Sequence, residues 1–273
     1  MARVAAIQMA SGPNVSANLL EAARLIAMAA GDGAELIVLP ENFALMGVTE
    51  DDKVGIREEE GTGKIQDFLA QQASKHGLWI VGGTVPLVAD DPAKVRAACL
   101  VYDDRGERVA RYDKIHLFDV NLSDGAETYE ESSTIEPGNE TLVLDTPVGR
   151  LGVVVCYDLR FPELFRCLAD QGMEIFVAPS AFTAITGRAH WEVLVRARAI
   201  ENLCYGIAAA QGGYHVNGRE THGDSMIVDP WGIVIDRLPR GSDVVIAEID
   251  QGRLKSIRKN FPALSHRRIH CAP

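Results

Sequence analysis

Short apolar runs alternate with segments of helical periodicity along most of this chain, and this alternation constrains the fold more than any other feature. The run at 3–9 precedes a helical pattern from Asn14 to Ala30, which Gly31 ends. The run at 35–40 likewise precedes a helix predicted at 64–76. Strands and helices that alternate in this way predict an α/β fold.

The order of the elements changes near the end of the chain. After a strand predicted at 204–210, three apolar runs follow one another as strands, at 223–230, 232–238 and 243–250. Consecutive strands after alternating units indicate two sheets packed face to face with helices outside, although a single large mixed sheet would have the same periodicity. A last short helix and a polar tail complete the pattern.

Further elements are predicted in the middle of the chain. They are a strand at 78–87, a hairpin around 103–106, a loop rich in Glu and Ser at 123–140, a helix at about 160–171 and a long helix at about 188–202. Neither a linker of distinct composition nor a short repeat divides the 273 residues, of which 47% are hydrophobic. We therefore predict one domain over 1–273, with a C-terminal tail at about 251–273 that can lie at a subunit interface.

The composition bears on location and on partners. No apolar run approaches the roughly 20 residues of a membrane-spanning helix, and the N-terminus lacks the layout of a signal peptide. The formal charge of −11 argues against binding to nucleic acid or to an anionic membrane. The five cysteines have no framework-like spacing, which predicts free thiols in a reducing, cytoplasmic compartment; they are Cys99, Cys156, Cys167, Cys204 and Cys271.

Cys156 stands where an apolar run meets a predicted helix. The run Leu151 to Val155 has the β-branched density of a buried strand, and Asp158 can cap the following helix. At such a turn the helix dipole would lower the pKa of the thiol, and the amide N–H of Tyr157 could face an oxyanion. The alternative is a buried thiol at the end of a core strand.

Two other strand ends carry charged side chains. Glu41 follows the run at 35–40, and Lys114 follows the second strand of the predicted hairpin. Because chemistry gathers at the carboxyl ends of strands in open α/β folds, these groups and Cys156 can converge. A carboxylate, an ammonium group and a thiol together suit nucleophilic attack on a carbonyl. Taken singly, a glutamate at such a position is more often solvated, and a lysine more often lies on the surface.

The segments "LPENF", "YDKIHLFD" and "CYDLRFPELFR" resemble the Glu, Lys and Cys signatures of the nitrilase superfamily of carbon–nitrogen hydrolases. Within that superfamily the sequence is most similar to the deaminated glutathione amidases, followed by the ω-amidases of 2-oxo acid amides. The resemblance implies a four-layer α-β-β-α sandwich, no metal or organic cofactor, and a homodimer or larger homo-oligomer.

The resemblance also assigns roles to individual residues. It makes Glu41 the general base, Lys114 the cation beside the oxyanion and Cys156 the nucleophile. A second active-site glutamate is expected after the lysine, with Glu131 as the best match. Glu127 and Glu130 are alternatives in other registers.

Four residues are candidates for binding substrate. Tyr157 and Arg160 follow the nucleophile, while Phe182 and Thr183 follow the strand predicted at 174–180. Arg160 can grip a substrate carboxylate or pair with the carboxylates of its own turn, and Phe182 can wall the pocket or pack in the core. If Arg160 is structural, the anchor must be sought among Arg188, Arg196 and Arg198. His116, His190, His215 and His222 lack the spacing of a zinc motif.

These expectations combine into one reaction. The Cys156 thiolate attacks a primary amide of a small carboxylate-bearing substrate, ammonia leaves, and water hydrolyses the thioester to an acid. The preferred activity is that of a deaminated glutathione amidase; ω-amidase, N-carbamoyl amino acid and nitrile hydrolysis are alternatives. A catalytically silent binding scaffold is the alternative outside enzymology, disfavoured by an intact Glu41–Lys114–Cys156 set.

Overall fold

The computed structural model describes residues 1–122 and 127–269. Its strands, in chain order, are β1 Ala2–Gln8, β2 Leu36–Val38, β3 Trp79–Val81, β4 Val85–Val88, β5 Val95–Tyr102, β6 Arg108–Asp113, β7 Asp119–Leu122, β8 Glu127–Glu130, β9 Leu142–Thr146, β10 Gly149–Val153, β11 Ile175–Val177, β12 Tyr205–Ala208, β13 Gly212–Tyr214, β14 Glu220–His222, β15 Ser225–Val228, β16 Val234–Leu238 and β17 Asp243–Ile249. Its α-helices are α1 Val15–Gly31, α2 Asp52–Gly55, α3 Lys64–His76, α4 Pro162–Asp170, α5 Ala184–Asn202 and α6 Gln251–Asn260.

The described strands form two large mixed sheets. The first has the order β17-β1-β2-β3-β5-β4, with β6 also paired to β5, and the second has the order β16-β15-β12-β11-β10-β9. In each sheet three central strands are parallel, β1, β2 and β3 in one and β10, β11 and β12 in the other. Two short antiparallel hairpins, β7–β8 and β13–β14, lie outside the sheets.

Alternating side chains of the first sheet build both of its packing surfaces. Val4 of β1 lies in the same core cluster as Ile207 of the second sheet. The next residue, Ala5, lies in a separate cluster with Leu25 of α1 and Leu69 of α3. Because successive side chains of a strand point to opposite faces, one face meets the other sheet and the other meets the helices. The outer face of the second sheet is covered by α4, whose Phe165 ring packs on Phe176 of β11, and by α5, which contacts β12 and β15, so the predicted four-layer α-β-β-α arrangement is confirmed.

Some predicted elements match the structure and others differ. The helix at 64–76 and the hairpin around 103–106 are present as predicted. The single strand expected at 78–87 is two strands, β3 and β4, because Gly83, with a φ of +58°, interrupts the extended backbone. A Cβ on Gly83 would come within 2.2 Å of the Pro40 carbonyl oxygen, so glycine lets this backbone pack against the segment that leads to Glu41.

Two helix boundaries were also wrong. The helix expected from about 188 begins at Ala184, because Thr183 caps it through a hydrogen bond from the Thr186 N–H. The helix expected from about 160 begins at Pro162, and residues 156–160 form a 3₁₀ turn instead. Part of the loop expected at 123–140 is the strand β8, while residues 123–126 and Cys271 lie outside the described residues. Within the described ranges, the helices are all too short or too polar to cross a membrane.

Candidate active site

A cavity of about 690 Å³ opens where several strands end. Glu41 lies beyond β2, Lys114 directly follows β6, and Cys156 lies beyond β10. All three line the cavity together with Glu131. The expected convergence of strand ends therefore holds, although the strands come from two different sheets.

Lys114 is the centre of the charged groups in this cavity. Its side chain is 1% exposed, and its Nζ lies 2.8 Å from Glu41 Oε1 and 2.8 Å from both carboxylate oxygens of Glu131. Burial alone would lower the pKa of Lys114, but the Glu131 and Glu41 carboxylates raise it well above its ordinary value. The lysine is therefore a fixed cation between two carboxylates.

The second glutamate beside Lys114 is Glu131 rather than either neighbour. Glu131 begins a short 3₁₀ turn after β8 and also accepts a 2.7 Å hydrogen bond from the Phe118 N–H. Glu127 instead accepts a hydrogen bond from the Tyr129 hydroxyl. Which of Glu127, Glu130 and Glu131 reaches Lys114 therefore depends on where the hairpin β7–β8 ends.

Cys156 occupies a strained position at the end of β10. Its φ is +47°, a left-handed conformation that is costly for a residue with a Cβ, and its N–H donates to the Pro179 carbonyl at 2.9 Å. Its Sγ accepts a hydrogen bond from the Ala181 N–H at 3.5 Å. The backbone thus holds the sulfur at the cavity wall, although the residue is only 8% exposed.

The expectation that a helix dipole lowers the thiol pKa was wrong. Burial and the nearby Glu41 carboxylate raise the pKa of Cys156 well above its ordinary value, and Lys114 opposes them only in part. The α-helix begins six residues further on, at Pro162, so its dipole does not start at the sulfur. A thiol in this environment is a weak nucleophile unless a base removes its proton.

Asp158 was expected to cap the helix that follows Cys156, but its carboxylate forms other hydrogen bonds. This fully buried carboxylate accepts hydrogen bonds from the Tyr112 hydroxyl at 2.7 Å and from the Val155 N–H at 2.8 Å. Its other oxygen accepts from the His116 N–H at 3.1 Å and lies 2.7 Å from His116 Nδ1. Since Tyr112 and His116 flank Lys114 in the sequence, Asp158 ties the lysine segment to the turn that carries Cys156.

Arg160 does not pair with the carboxylates of its own turn. Its guanidinium carbon lies 5.7 Å from the centre of the Tyr157 ring and 5.2 Å from that of Phe182, and Nη1 is 3.2 Å from His190 Nδ1. Among the described residues, no carboxylate lies within ion-pair distance of it. Arg160 lines the cavity as an unneutralised cation, which agrees with the substrate-binding alternative.

The other candidate binding residues combine contact with the cavity and a structural role. Tyr157, Phe182 and Thr183 all line the cavity. Phe182 also packs on Trp191 with ring centres 5.0 Å apart, and Thr183 caps α5. Phe182 therefore both forms part of the cavity wall and packs in the core.

Most of the remaining conspicuous residues lie away from the cavity. Arg196 pairs with Glu192, and Arg198 donates to the Leu159 carbonyl and pairs with Glu201. Arg188 does line the cavity. Cys99 and Cys204 are buried, and burial raises the pKa of Cys204 to about 12.

Sequence reasoning missed Tyr129 and Arg219, which line the cavity from the two peripheral hairpins. Neither residue lies at the carboxyl end of a strand in the two large sheets, where charged side chains were expected to converge. The only local signal for Arg219 was its place in a Gly-containing turn between two short strands, which is common in surface loops.

Comparisons with known proteins agree with this arrangement. The chain is 43% identical over 269 residues to a deaminated glutathione amidase of Yersinia enterocolitica, with 98% of this chain and 93% of that protein covered. It is 40% identical to the deaminated glutathione amidase of Homo sapiens, with 97% and 82% covered. Among solved structures, Nit3 of Saccharomyces cerevisiae, a member of branch 10 of the nitrilase superfamily, has a TM-score of 0.88 at 30% identity, with 98% and 97% covered.

The C. elegans NitFhit protein has a TM-score of 0.90 at 37% identity, and the match covers 98% of this chain and 66% of that one. The carbon-nitrogen hydrolase family model matches residues 3–259. The match includes every strand and helix that brings a side chain to the cavity. The chain therefore belongs to the carbon–nitrogen hydrolase family.

Proposed function

We propose that this amidase uses Cys156 to hydrolyse an amide of a small carboxylate-bearing acid, and that its substrate is deaminated glutathione. The observation that carries the proposal is Lys114 held at 2.8 Å between Glu41 and Glu131, beside a buried thiol. The relatives of 40% identity and more that bear the name deaminated glutathione amidase support the choice of substrate.

In the proposed reaction Glu41 removes the thiol proton as the sulfur attacks the amide carbonyl carbon. The negative charge on the carbonyl oxygen is stabilised by Lys114 and the Tyr157 N–H. Glu41 then passes the proton to the leaving nitrogen, the C–N bond breaks, and a thioester remains. Water, deprotonated by Glu41, attacks the thioester and releases the acid and the thiol.

Glu131 acts on the lysine in this scheme. It binds Nζ with both oxygens and is itself held by the Phe118 N–H, so it restrains the ammonium group. A cation in a water-excluded site stabilises an oxyanion more strongly than a solvated cation does, since its charge is less screened. Glu131 is therefore proposed as a positioning residue.

The leaving group distinguishes the two leading substrates. A primary amide such as 2-oxoglutaramate releases ammonia. In deaminated glutathione the amide that joins a 2-oxo acid to cysteinylglycine is secondary, so the dipeptide amine leaves in place of the ammonia expected from the sequence. A cavity of about 690 Å³ has room for the longer substrate, which supports it over a small primary amide.

A panel of substrates tests the proposal. Deaminated glutathione, 2-oxoglutaramate, an N-carbamoyl amino acid and a nitrile are compared by kcat/KM, with both ammonia and free cysteinylglycine measured. We expect the highest value for deaminated glutathione, and no turnover by Cys156→Ala. A higher value for 2-oxoglutaramate would make the protein an ω-amidase, while binding without turnover on every compound would indicate a silent scaffold.

We also propose a homo-oligomer that assembles through α5 and the C-terminal tail. Val193 and Ile200, seven residues apart on one face of α5, are 68% and 47% exposed. The segment of Trp231 lies against α5, since Arg196 Nε donates to the Gly232 carbonyl at 2.8 Å; Trp231 packs on Phe261 with ring centres 5.6 Å apart, and each is more than half exposed. An apolar patch of this kind favours a protein interface.

Light scattering tests this assembly. We expect Val193→Glu to lower the molar mass in solution, because it places a charge within the patch. Leu20→Glu is the matched control, since Leu20 is also exposed, at 75%, but lies on α1. An unchanged mass in Val193→Glu would contradict the proposal.

A cytoplasmic location remains a prediction. It is motivated by the cysteine pattern, and the described cysteines are free thiols. Cell fractionation with antibody detection tests it, and recovery in an exported fraction would contradict it.

A further inference from the structure

Arg219 is a cation in the cavity to which the proposed reaction assigns no role. Among the described residues the cavity is lined by five cationic side chains, namely Lys53, Lys114, Arg160, Arg188 and Arg219. Lys53 pairs with Glu50 at 2.6 Å, and Lys114 pairs with Glu41 and Glu131. In the ranges 1–122 and 127–269, the three arginines have no carboxylate within ion-pair distance.

Arg219 is held in place more firmly than an unpaired surface arginine. Its guanidinium carbon lies 5.1 Å from the centre of the Tyr129 ring, and Nη2 donates to the Ala181 carbonyl at 2.8 Å. Its Nε is buried and has no hydrogen-bond partner among the described residues. Arg188, by contrast, is exposed on α5.

The unused bonding capacity of Arg219 has a cost. A buried N–H without a partner destabilises the empty protein, and Glu50, which attracts Arg219 across the cavity, is already paired with Lys53. A side chain that is ordered in advance loses little entropy when a ligand binds. The arrangement is therefore suited to an anionic ligand that accepts a hydrogen bond from Nε.

The contacts of Ala181 show how near Arg219 lies to the reacting group. The Ala181 N–H is 3.5 Å from Cys156 Sγ, and the carbonyl of the same residue is 2.8 Å from Arg219 Nη2. Joined across one residue, these contacts put Nη2 within about 10 Å of the sulfur. An extended dipeptide spans about 7 Å, so a carboxylate at its far end can reach Arg219 once a hydrogen-bond length is added at each end.

We propose that Arg219 binds the carboxylate carried by the leaving group of the substrate, and so selects long dianionic amides over short ones. This inference rests on the proposed function. Arg160 belongs to the turn that carries Cys156, and it is suited to the carboxylate of the acyl part. Arg219 belongs to the hairpin β13–β14, which lies at the mouth of the cavity, since Tyr214 of this hairpin is 76% exposed. Arg219 is therefore suited to the part of the substrate that extends towards solvent.

The test compares two substrates that differ only in the distal charge. They are deaminated glutathione and the same compound with its glycine carboxylate converted to a carboxamide; 2-oxoglutaramate serves as the short reference. In Arg219→Gln we expect KM for the acid to rise about tenfold, the value of one charged hydrogen bond. KM for the carboxamide and for 2-oxoglutaramate should stay unchanged.

Two further variants complete the experiment. Arg24→Gln removes an exposed cation on α1 that pairs with Glu21 at 2.7 Å, and neither residue lines the cavity, so it controls for net charge, and we expect no change. Arg219→Lys keeps the charge but loses the planar fork, and should raise KM for the acid less than Arg219→Gln does. If Arg219→Gln does not fold, Arg219→Lys provides the same comparison of acid with carboxamide.

The outcomes separate the two proposals. Equal losses on acid and carboxamide would mean that Arg219 acts only by holding Ala181, and would overturn the inference while the proposed function stands. No change on either compound would overturn it as well. A wild-type enzyme that hydrolyses none of the three compounds would overturn the proposed function and this inference with it.

Discussion

The floor and the mouth of the cavity are built in opposite ways. At the floor, the Lys114 and Glu41 side chains are 1% and 5% exposed, and both follow strands of the first large sheet, β6 and β2. At the mouth, Tyr129 and Arg219 come from the two small hairpins, and the hairpin β13–β14 exposes Tyr214 to solvent. Charges interact strongly where water is excluded and are screened where it is not. From this difference we expect the floor to determine the chemistry and the mouth to determine the choice of substrate.

The largest expected effect is at the nucleophile. Cys156→Ser should abolish measurable turnover, because a hydroxyl beside a carboxylate base is a much weaker nucleophile than a thiol. Cys167→Ala is the control and should keep most of the activity. Mass spectrometry of the trapped acyl-enzyme checks the assignment, and a substrate-derived adduct on any other cysteine would refute it.

The next effect concerns the charge at the floor. Lys114→Met removes the cation but keeps much of the stem, and should lower kcat roughly a hundredfold or more. Lys75→Met, at an exposed position on α3, should leave kcat unchanged. Thermal unfolding of both variants separates lost chemistry from lost folding. A nearly normal kcat in a folded Lys114→Met would mean that the cation at the floor does not determine the chemistry.

Glu41→Gln should change the pKa of Cys156 and the rate in ways that a structural role would not. The Glu41 carboxylate raises the pKa of Cys156, so its neutralisation should lower that pKa and increase the thiolate fraction at a given pH above neutrality. Turnover should nevertheless fall about a hundredfold, because the proton has no acceptor. Thiolate absorbance against pH, with Cys156→Ala as the blank, measures the first effect. A higher pKa of the Cys156 thiol in Glu41→Gln than in the wild type would contradict this prediction.

Asp158→Asn should produce a smaller effect through geometry alone. The amide cannot accept all the hydrogen bonds that reach Asp158 from Tyr112, Val155 and His116, so we expect a loss of about 2 kcal/mol in unfolding free energy. Since Asp158 connects the segments of Lys114 and Cys156, kcat should fall more than KM rises. Tyr112→Phe removes one of these bonds and should show a weaker form of both effects. A normal kcat in a destabilised Asp158→Asn would limit the residue to stability.

The smallest effect is expected between floor and mouth, at Arg160. Arg160→Lys should raise KM for an anionic amide about tenfold and change KM little for a neutral amide of similar size, because lysine cannot form a bidentate contact. The melting temperature should stay close to that of the wild type. Equal losses on both amides with a lower melting temperature would assign Arg160 to structure, and of the three arginines expected as alternatives, Arg188 is the one that lines the cavity.

Sequence patterns were sufficient for the elements with strong periodicity and for the three residues at strand ends. The helix at 64–76 follows from its amphipathic spacing, and Glu41, Lys114 and Cys156 were found because apolar runs end beside them. The division of the strand at 78–87 was missed. It depends on the close approach of Gly83 to Pro40, which lies 43 residues earlier in the chain. No local pattern reports such a contact.

By itself, the sequence determined the α/β class, the family signatures and the chemical types at the floor of the cavity, because these depend on local order and on side-chain identity. Only the tertiary structure decided that Glu131 is the glutamate at Lys114, that the pKa of Cys156 is raised and that Arg219 reaches Ala181. Each of these depends on distances between segments far apart in the chain and on how much water burial excludes. Periodicity and spacing encode neither quantity.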